Sequence, residues 1–232
     1  MNQIVLTLII PAYNEKKSIA KIIEEVKKKV KYQKQIIVID DFSNDGTTDI
    51  IKNLKGIDKS IFHQKNLGKG AAIKSAIPFI KGDLVAIQDA DLEYDPEDLN
   101  KLINKIISGS TNVVYGSRVL NKNRYNINGF ISNFRIFGNH VLTIISNFLN
   151  NQNLTDAHTC YKVFRKNIFL KLNPQENDFA FCPEVTTKLS LLSEKIIEIP
   201  ISYKGRNIKE GKKIRFKDAL KALITIIKYR WG

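Results

Sequence analysis

The sequence predicts one α/β domain, spanning residues 1–232, with a mostly parallel central sheet and helices on both faces. Three observations carry that expectation. Short apolar runs alternate with amphipathic stretches through the first half of the chain. The runs are rich in Ile, Val and Leu and nearly continuous, as strands covered on both faces are. Glycines at Asp45-Gly46 and Lys81-Gly82 punctuate the junctions.

Ile4–Ile10, Gln35–Ile39, Ser60–His63, Leu84–Gln88 and Asn112–Tyr115 read as strands. Between them Ser18–Val30, Thr47–Leu54, Ala71–Ile80 and Pro96–Ile107 space their apolar residues as helices do. The second half is less regular. Phe130–Asn150 has helical apolar spacing, Cys160–Phe164 reads as a strand, and a helix is expected around Glu184–Leu192. Ile196–Ile201 reads as a further strand, the basic loop Lys204–Arg215 follows, and Phe216–Tyr229 forms a last amphipathic helix. No repeat or linker divides the chain. Residues 1–118, with their regular alternation, and residues 119–232 are read as the two halves of this one domain.

A composition of 43% hydrophobic and 26% charged residues excludes a disordered chain. The two cysteines, Cys160 and Cys182, lie far apart without zinc-ligand spacing, so they are expected to be reduced thiols in a reducing compartment. The N-terminus enters an apolar run with no basic n-region and no cleavage site, so no signal peptide is expected. No run reaches the ~18 apolar residues that span a bilayer. A cytoplasmic protein is expected. The net charge of +14 favours anionic partners: nucleic acid, anionic lipid or phosphorylated small molecules.

In parallel α/β sheets ligands bind beyond the carboxyl ends of the strands. There the sequence places Pro11-Ala12-Tyr13-Asn14-Glu15, Asp40–Thr47, Asp89-Ala90-Asp91 and Gly116-Ser117-Arg118. An Asp after a strand is commonly a cap or turn residue, which suits Asp45 and Asp95. Convergence of carboxylates on one rim is not explained that way, and it requires a positive partner among them. If Asp89-x-Asp91 stays extended, its side chains point the same way and can grip a hard cation. Mg²⁺ or Mn²⁺ takes oxygen ligands and completes its shell with waters and phosphates. Glu93 shares their parity and either joins them or caps the next helix. Asn66–Ala72 lacks the spacing of a nucleotide-binding P-loop, so its glycines are expected to let a helix N-terminus approach the rim.

Taken together, these segments with Asn66-Leu67-Gly68-Lys69-Gly70-Ala71-Ala72, Asp156–Lys162, Phe181-Cys182-Pro183-Glu184 and Tyr203–Ile214 resemble the family 2 inverting glycosyltransferases of GT-A fold. Order and spacing are most similar to the dolichol-phosphate mannose synthase and polyprenyl-phosphate glycosyltransferase branch. The resemblance implies that Pro11, Tyr13 and Glu15 line the nucleotide pocket, with Ile39 and Asp41 near the base. It implies a DxD-like site at Asp89, Ala90 and Asp91, and an Arg118 that reaches the donor's phosphates or sugar. Where that branch often has Gln, this chain has Glu93, counted as a third metal ligand. Arg206, Lys212 and Lys213 would bind the lipid phosphate, in keeping with the chemistry of Arg and Lys toward phosphate oxygens.

The expected reaction moves a sugar from a GDP- or UDP-sugar to polyprenyl phosphate, with Mg²⁺ or Mn²⁺ bound and catalysis resting on Asp91, Arg118 and Glu184. Glu184 (or Asp156) serves as base where the acceptor is a hydroxyl; an ionised lipid phosphate needs none. The alternatives are a saccharide or glycolipid hydroxyl acceptor and an inactive sugar-nucleotide-binding scaffold. Nucleic acid is disfavoured because the clustered carboxylates would repel its phosphates. Phe130–Phe148 and Arg230-Trp231 combine apolar faces with basic residues, as interfacial helices do. Peripheral attachment to the inner, anionic face of a membrane is therefore expected, worth about 1 kcal/mol per basic residue near the surface and weakened by salt.

Overall fold

Aliphatic side chains that must leave water on two sides at once build the middle of this protein. The computed structural model describes residues 4–120, 130–205 and 216–232; the side chains of 130–137 and 216–218 lie outside that description, as do Arg206, Lys212 and Lys213. Strand β1 (Val5–Ala12) pairs in parallel with β2 (Gln33–Asp40) and β4 (Leu84–Ile87), and β2 pairs in parallel with β3 (Lys59–Phe62). Beyond β4 lie β6 (Lys162–Arg165), β5 (Val113–Ser117) and β7 (Ile196–Pro200), giving a seven-stranded sheet ordered β3-β2-β1-β4-β6-β5-β7. Only β6 runs antiparallel to its neighbours. Strands from both sequence halves thus share one sheet.

Strand alternation divides the core in two. Leu6, Leu8 and Ile10 of β1 pack on one face with α1 (Ile19–Lys29) and α4 (Asp98–Ile107). Ile9, with Ile37 and Ile39, faces α3 (Lys69–Ala76), α6 (Lys166–Leu172) and α7 (Phe181–Leu191) on the other. The short α2 (Thr47–Asn53) follows β2. Helix α5 (Phe130–Asn150) packs with α7 and with the last helix, α8 (Phe216–Trp231). Among the described residues no helix is long and apolar enough to cross a membrane.

Most boundaries shift by one to three residues, and α6 has no counterpart in the sequence expectation; two of the shifts lie beside the rim. The helix expected over Ala71–Ile80 starts at Lys69, ends at Ala76 and passes into a 3₁₀ turn, Ile77–Phe79. Pro78 has no N–H and its ring crowds the carbonyl four residues back, so the α-helix cannot continue through it. The strand expected at Cys160 begins instead at Lys162.

The glycines around Lys69 serve close packing. Gly68 has φ +95°, and a Cβ there would lie 2.4 Å from the Asn177 carbonyl oxygen; at Gly70 a Cβ would lie 2.3 Å from that of Glu176. The Ala71 amide donates to the Asn177 oxygen at 2.9 Å, so the start of α3 is stitched to backbone that cannot give way. Gly70→Ala is expected to destabilise the fold by about 1–3 kcal/mol, as overpacking does. Urea denaturation checks this; an unchanged midpoint would mean the two backbones separate freely.

Candidate active site

The chain leaves β1 for β2 and β3 on one side, then returns to β4 on the other. That reversal opens a crevice past the carboxyl ends of β1 and β4, where Pro11–Glu15 and Asp89–Asp91 lie.

The carboxylates on this rim have the partners that their crowding demands. Asp41 organises the Asn66–Ala72 loop: its Oδ1 accepts the Leu67 amide at 2.8 Å and its Oδ2 the Gly68 amide at 2.8 Å. His63 Nδ1 lies 2.7 Å from Asp41 Oδ1, and its Nε2 is 2.9 Å from Ser75 Oγ. Asp45, just ahead of the Gly46 N-cap of α2, accepts the Thr47 amide at 3.0 Å, the turn role expected for it. Glu15 is buried; the Ser18 hydroxyl donates to its Oε2 at 2.7 Å, and its amide donates to Thr47 Oγ1 at 2.9 Å.

At Asp89 the positive partner is Lys69. Its ammonium is ion-paired with Asp89 Oδ1 and donates to Cys160 Sγ at 3.0 Å. Burial opposes the charge on Lys69, but the negative charges of Asp89 and the nearby thiols outweigh it and hold the ammonium's pKa well above its ordinary value. Cys182, in the first turn of α7, lies beside Cys160. A hydrogen bond from Cys160, together with Lys162 and Lys69, outweighs burial and brings the Cys182 thiol down to about 6. A lysine and two cysteines distant in sequence thus meet beside the first aspartate. Periodicity carries no sign of this; the one available signal is a lysine between two glycines at a helix start.

The DxD segment is not extended. Ala90 and Asp91 form a turn, and Leu92 has φ 62°. The parity argument therefore fails, and Glu93 follows a different path. Asp91 Oδ1 accepts the Glu93 amide at 3.1 Å, while the Tyr203 hydroxyl donates to Glu93 Oε2 at 2.7 Å. Among the described residues no three His, Cys, Asp or Glu side chains converge to hold a metal, so Asp89, Asp91 and Glu93 are not assembled as a triad. The Lys204 amide donates to the Glu93 carbonyl at 2.8 Å, and Tyr94 bridges to Tyr203. The root of the Lys204–Arg215 loop is thereby fixed against the DxD turn. Tyr94 stacks on Tyr161 at 4.7 Å between ring centroids and tilts against Tyr203 at 5.1 Å.

Arg118 extends from the end of β5 and is clamped by Asp156. Its Nε and Nη2 each lie 2.7 Å from a carboxylate oxygen, and its backbone amide adds a contact at 3.1 Å. The guanidinium also lies 5.2 Å from the centre of the Tyr203 ring. Burial works against the ionised Asp156, but Arg118 overrides it and holds the carboxyl below its ordinary range. Glu198 fixes this loop by accepting the Thr155 amide at 2.6 Å and the Asp156 amide at 2.9 Å.

Three sequence assignments meet different surroundings. Ile39 is fully buried under α3, because strand alternation turns it with Ile37 into the core and away from the rim. Ala90 is buried in the opposite core. Glu184 has no solvent exposure: its carboxylate accepts the Gln175 amide at 2.6 Å, the Glu176 amide at 2.8 Å and the Lys188 ammonium at 2.6 Å. It holds the 175–176 backbone against α7 and has no path to a substrate proton. A general base contributes about 10²–10⁴-fold. Glu184→Gln is instead expected to leave turnover near that of the parent while lowering stability by about 1–3 kcal/mol, the cost of impairing a buried hydrogen-bonded group. Parallel rate and unfolding measurements check it; a loss of rate without loss of stability would restore the base.

Comparison with known proteins matches this architecture. The chain is 28% identical to dolichyl-phosphate beta-glucosyltransferase ALG5D of Trichomonas vaginalis, over 97% of this chain and 73% of that protein. It is 28% identical to the UDP-N-acetylglucosamine–dolichyl-phosphate N-acetylglucosaminyltransferase of Methanococcus voltae, over 90% and 93% respectively. Glucosyl-3-phosphoglycerate synthase from Mycobacterium tuberculosis, crystallised with Mn²⁺, uridine diphosphate and phosphoglyceric acid, has the same fold. It superposes with a TM-score of 0.72 at 16% identity, covering 99% of this chain and 79% of that one. Residues 7–172 match the profile described as glycosyl transferase family 2, and the chain belongs to that family.

Proposed function

We propose that this glycosyltransferase moves a sugar, with inversion, from a UDP- or GDP-sugar to a polyprenyl phosphate at a membrane surface. The observation that carries the reading is the tie between the DxD turn and the root of the basic loop, made by Glu93, Tyr203 and Lys204. It ties the donor rim to Tyr203 and Lys204, the residues from which the basic segment sets out. Relatives named for dolichyl phosphate, matched over nearly the whole chain, support the same acceptor.

In this reading Pro11, Tyr13, Glu15 and Asp41 border the nucleotide. Asp89 and Asp91 offer oxygen donors only, which suits Mg²⁺ or Mn²⁺, with Asp89 shared with Lys69. When bound, the ion supplies charge neutralisation for the departing diphosphate. Arg118, oriented by Asp156, presents a fixed positive charge toward the donor's sugar or phosphates. The first half of the chain serves the donor, and the second, with Arg206, Lys212 and Lys213, serves the acceptor. An ionised phosphate acceptor removes the need for a base, which agrees with the engagement of Glu184 and Asp156 in the structure.

The test is transfer from a panel of radiolabelled nucleotide-sugars, with Mn²⁺ or EDTA, with and without short-chain polyprenyl phosphate. Metal-dependent formation of a lipid-linked sugar is expected with one donor. Donor turnover indifferent to lipid phosphate would replace the acceptor with a hydroxyl or water, and no turnover with any donor would leave a sugar-nucleotide-binding scaffold.

A further inference from the structure

Cys160 and Cys182 stand in surroundings that inert core thiols do not share. Both are partly exposed. Cys160 lies just ahead of β6, and Cys182 is the second residue of α7. Cys182 Sγ lies 3.8 Å from the Thr159 carbonyl oxygen, in the peptide unit that precedes Cys160, and it accepts a hydrogen bond from the Cys160 thiol. Lys69 Nζ approaches Cys160 Sγ to 3.0 Å while holding Asp89. Lys162 stands behind the pair, its ammonium donating to the Ala157 and Thr159 carbonyls at 3.1 and 2.7 Å. A thiol at a helix N-terminus, beside lysines and within reach of solvent, is the setting of a reactive cysteine. The value of about 6 for Cys182 agrees, since it leaves that sulfur mostly thiolate at neutral pH. Cys160 keeps its proton, because its hydrogen bond to Cys182 and its burial hold it well above the ordinary thiol range. Neither sulfur has a part in moving a sugar from a diphosphate to a phosphate.

We propose that Cys160 and Cys182 form a dithiol site for hydroperoxides, closing an intramolecular disulfide that acts on the donor rim through Lys69. The Cys182 thiolate attacks a peroxide oxygen. An S–O bond forms, the O–O bond breaks, and the departing hydroxide takes a proton from solvent. The Cys160 sulfur then displaces that oxygen from Cys182. An S–S bond forms, the S–O bond breaks, and the hydroxide leaves as water with the Cys160 proton. The two sulfurs give up two electrons in all, and hydrogen peroxide ends as two waters. The effect on the rim follows from charge. In the reduced protein Lys69 is shared between Asp89 and the negative charge on the thiols. A disulfide carries no charge, so the ammonium falls wholly to Asp89 and competes harder with a cation for its oxygens. That effect rests on reading Asp89 as a metal ligand; the disulfide does not.

The experiment treats the full chain with stoichiometric hydrogen peroxide, alkylates the remaining thiols and maps its peptides by mass spectrometry. Loss of both free thiols is expected, with two peptides joined through Cys160 and Cys182 and released by dithiothreitol. Cys182→Ser is expected to react with peroxide at least about tenfold more slowly than the parent, as removal of the thiolate requires. Cys160→Ser should stop at a Cys182 sulfenic acid, trapped by dimedone. The parent's own peptide map decides the point even where a variant folds poorly. A parent that stays reduced, a sulfenic acid that persists in it, or a disulfide formed only between two chains overturns the proposal. Equal peroxide reactivity in a folded Cys182→Ser chain does the same. Calorimetry with UDP and with GDP, each in the presence of Mn²⁺, follows the reduced, oxidised and re-reduced chain. Affinity is expected to fall about tenfold on oxidation and to recover with dithiothreitol, the scale of disturbing the partner of a metal ligand. Unchanged affinity in the oxidised chain overturns the link to the rim. A reduced chain that binds neither nucleotide defeats the donor reading instead, and the peptide map still judges the dithiol site.

Discussion

Asp91→Asn is expected to lower kcat/KM by at least about a hundredfold, the scale on which a fixed charge acting on a departing group contributes. The substitution suits the geometry because Asn retains a side-chain oxygen to accept the Glu93 amide, the contact made at 3.1 Å by Asp91. The turn is preserved while the negative charge is lost. Asp91→Ala removes both, so the difference between the two variants separates charge from turn geometry. If the cation is what Asp91 holds, the Asp91→Asn variant should require a higher concentration of Mn²⁺ for half-maximal rate. Full activity in that variant would remove Asp91 from the metal site and leave it a turn residue.

The largest loss of stability is expected from Asp156→Ala. Asp156 is buried and makes three contacts with Arg118, two of them to the guanidinium at 2.7 Å. Removing the carboxylate strands a guanidinium in a site that water reaches poorly. Breaking one side of such a buried pair costs about 3–5 kcal/mol, whereas replacing both members with apolar residues commonly costs much less. The double variant Arg118→Met/Asp156→Leu should therefore be more stable than Asp156→Ala alone in urea denaturation, yet inactive if Arg118 touches the donor. A double variant as unstable as the single one would mean that the backbone contacts of this loop, and not its ion pair, maintain it.

The strands and helices were legible because their signals are local: aliphatic runs for β1, β2 and β4, and helical spacing for α1 and α4. The rim was legible for the same reason, since each acidic segment directly follows a strand. What sequence could not supply was the direction of side chains in loops. The parity of Asp89, Asp91 and Glu93 assumes an extended backbone, and the turn at Ala90-Asp91 cancels it. Glu184 stands in a motif-like context, but its fate depends on amides of residues 175 and 176, a tertiary contact. Resemblance puts Ile39 near the base, although strand alternation with Ile37 was available to argue for the core. The meeting of Lys69 with Cys160 and Cys182 joins three separate loops and helix ends, which no local pattern encodes.

The antiparallel β6 has a consequence for how the chain is made. Within the first 118 residues β4 has only β1 as a partner, and β5 has none: its neighbours β6 and β7 both come from beyond residue 160. While the chain emerges from the ribosome, β5 must wait with its backbone donors and acceptors unpaired, and β4 stands as an open edge. Such edges recruit other strands, and pairing that depends on distant sequence is slow to form. Residues 1–118 expressed alone would present that edge permanently, which makes this half a poor fragment to isolate and ties its solubility to the synthesis of residues 162–165.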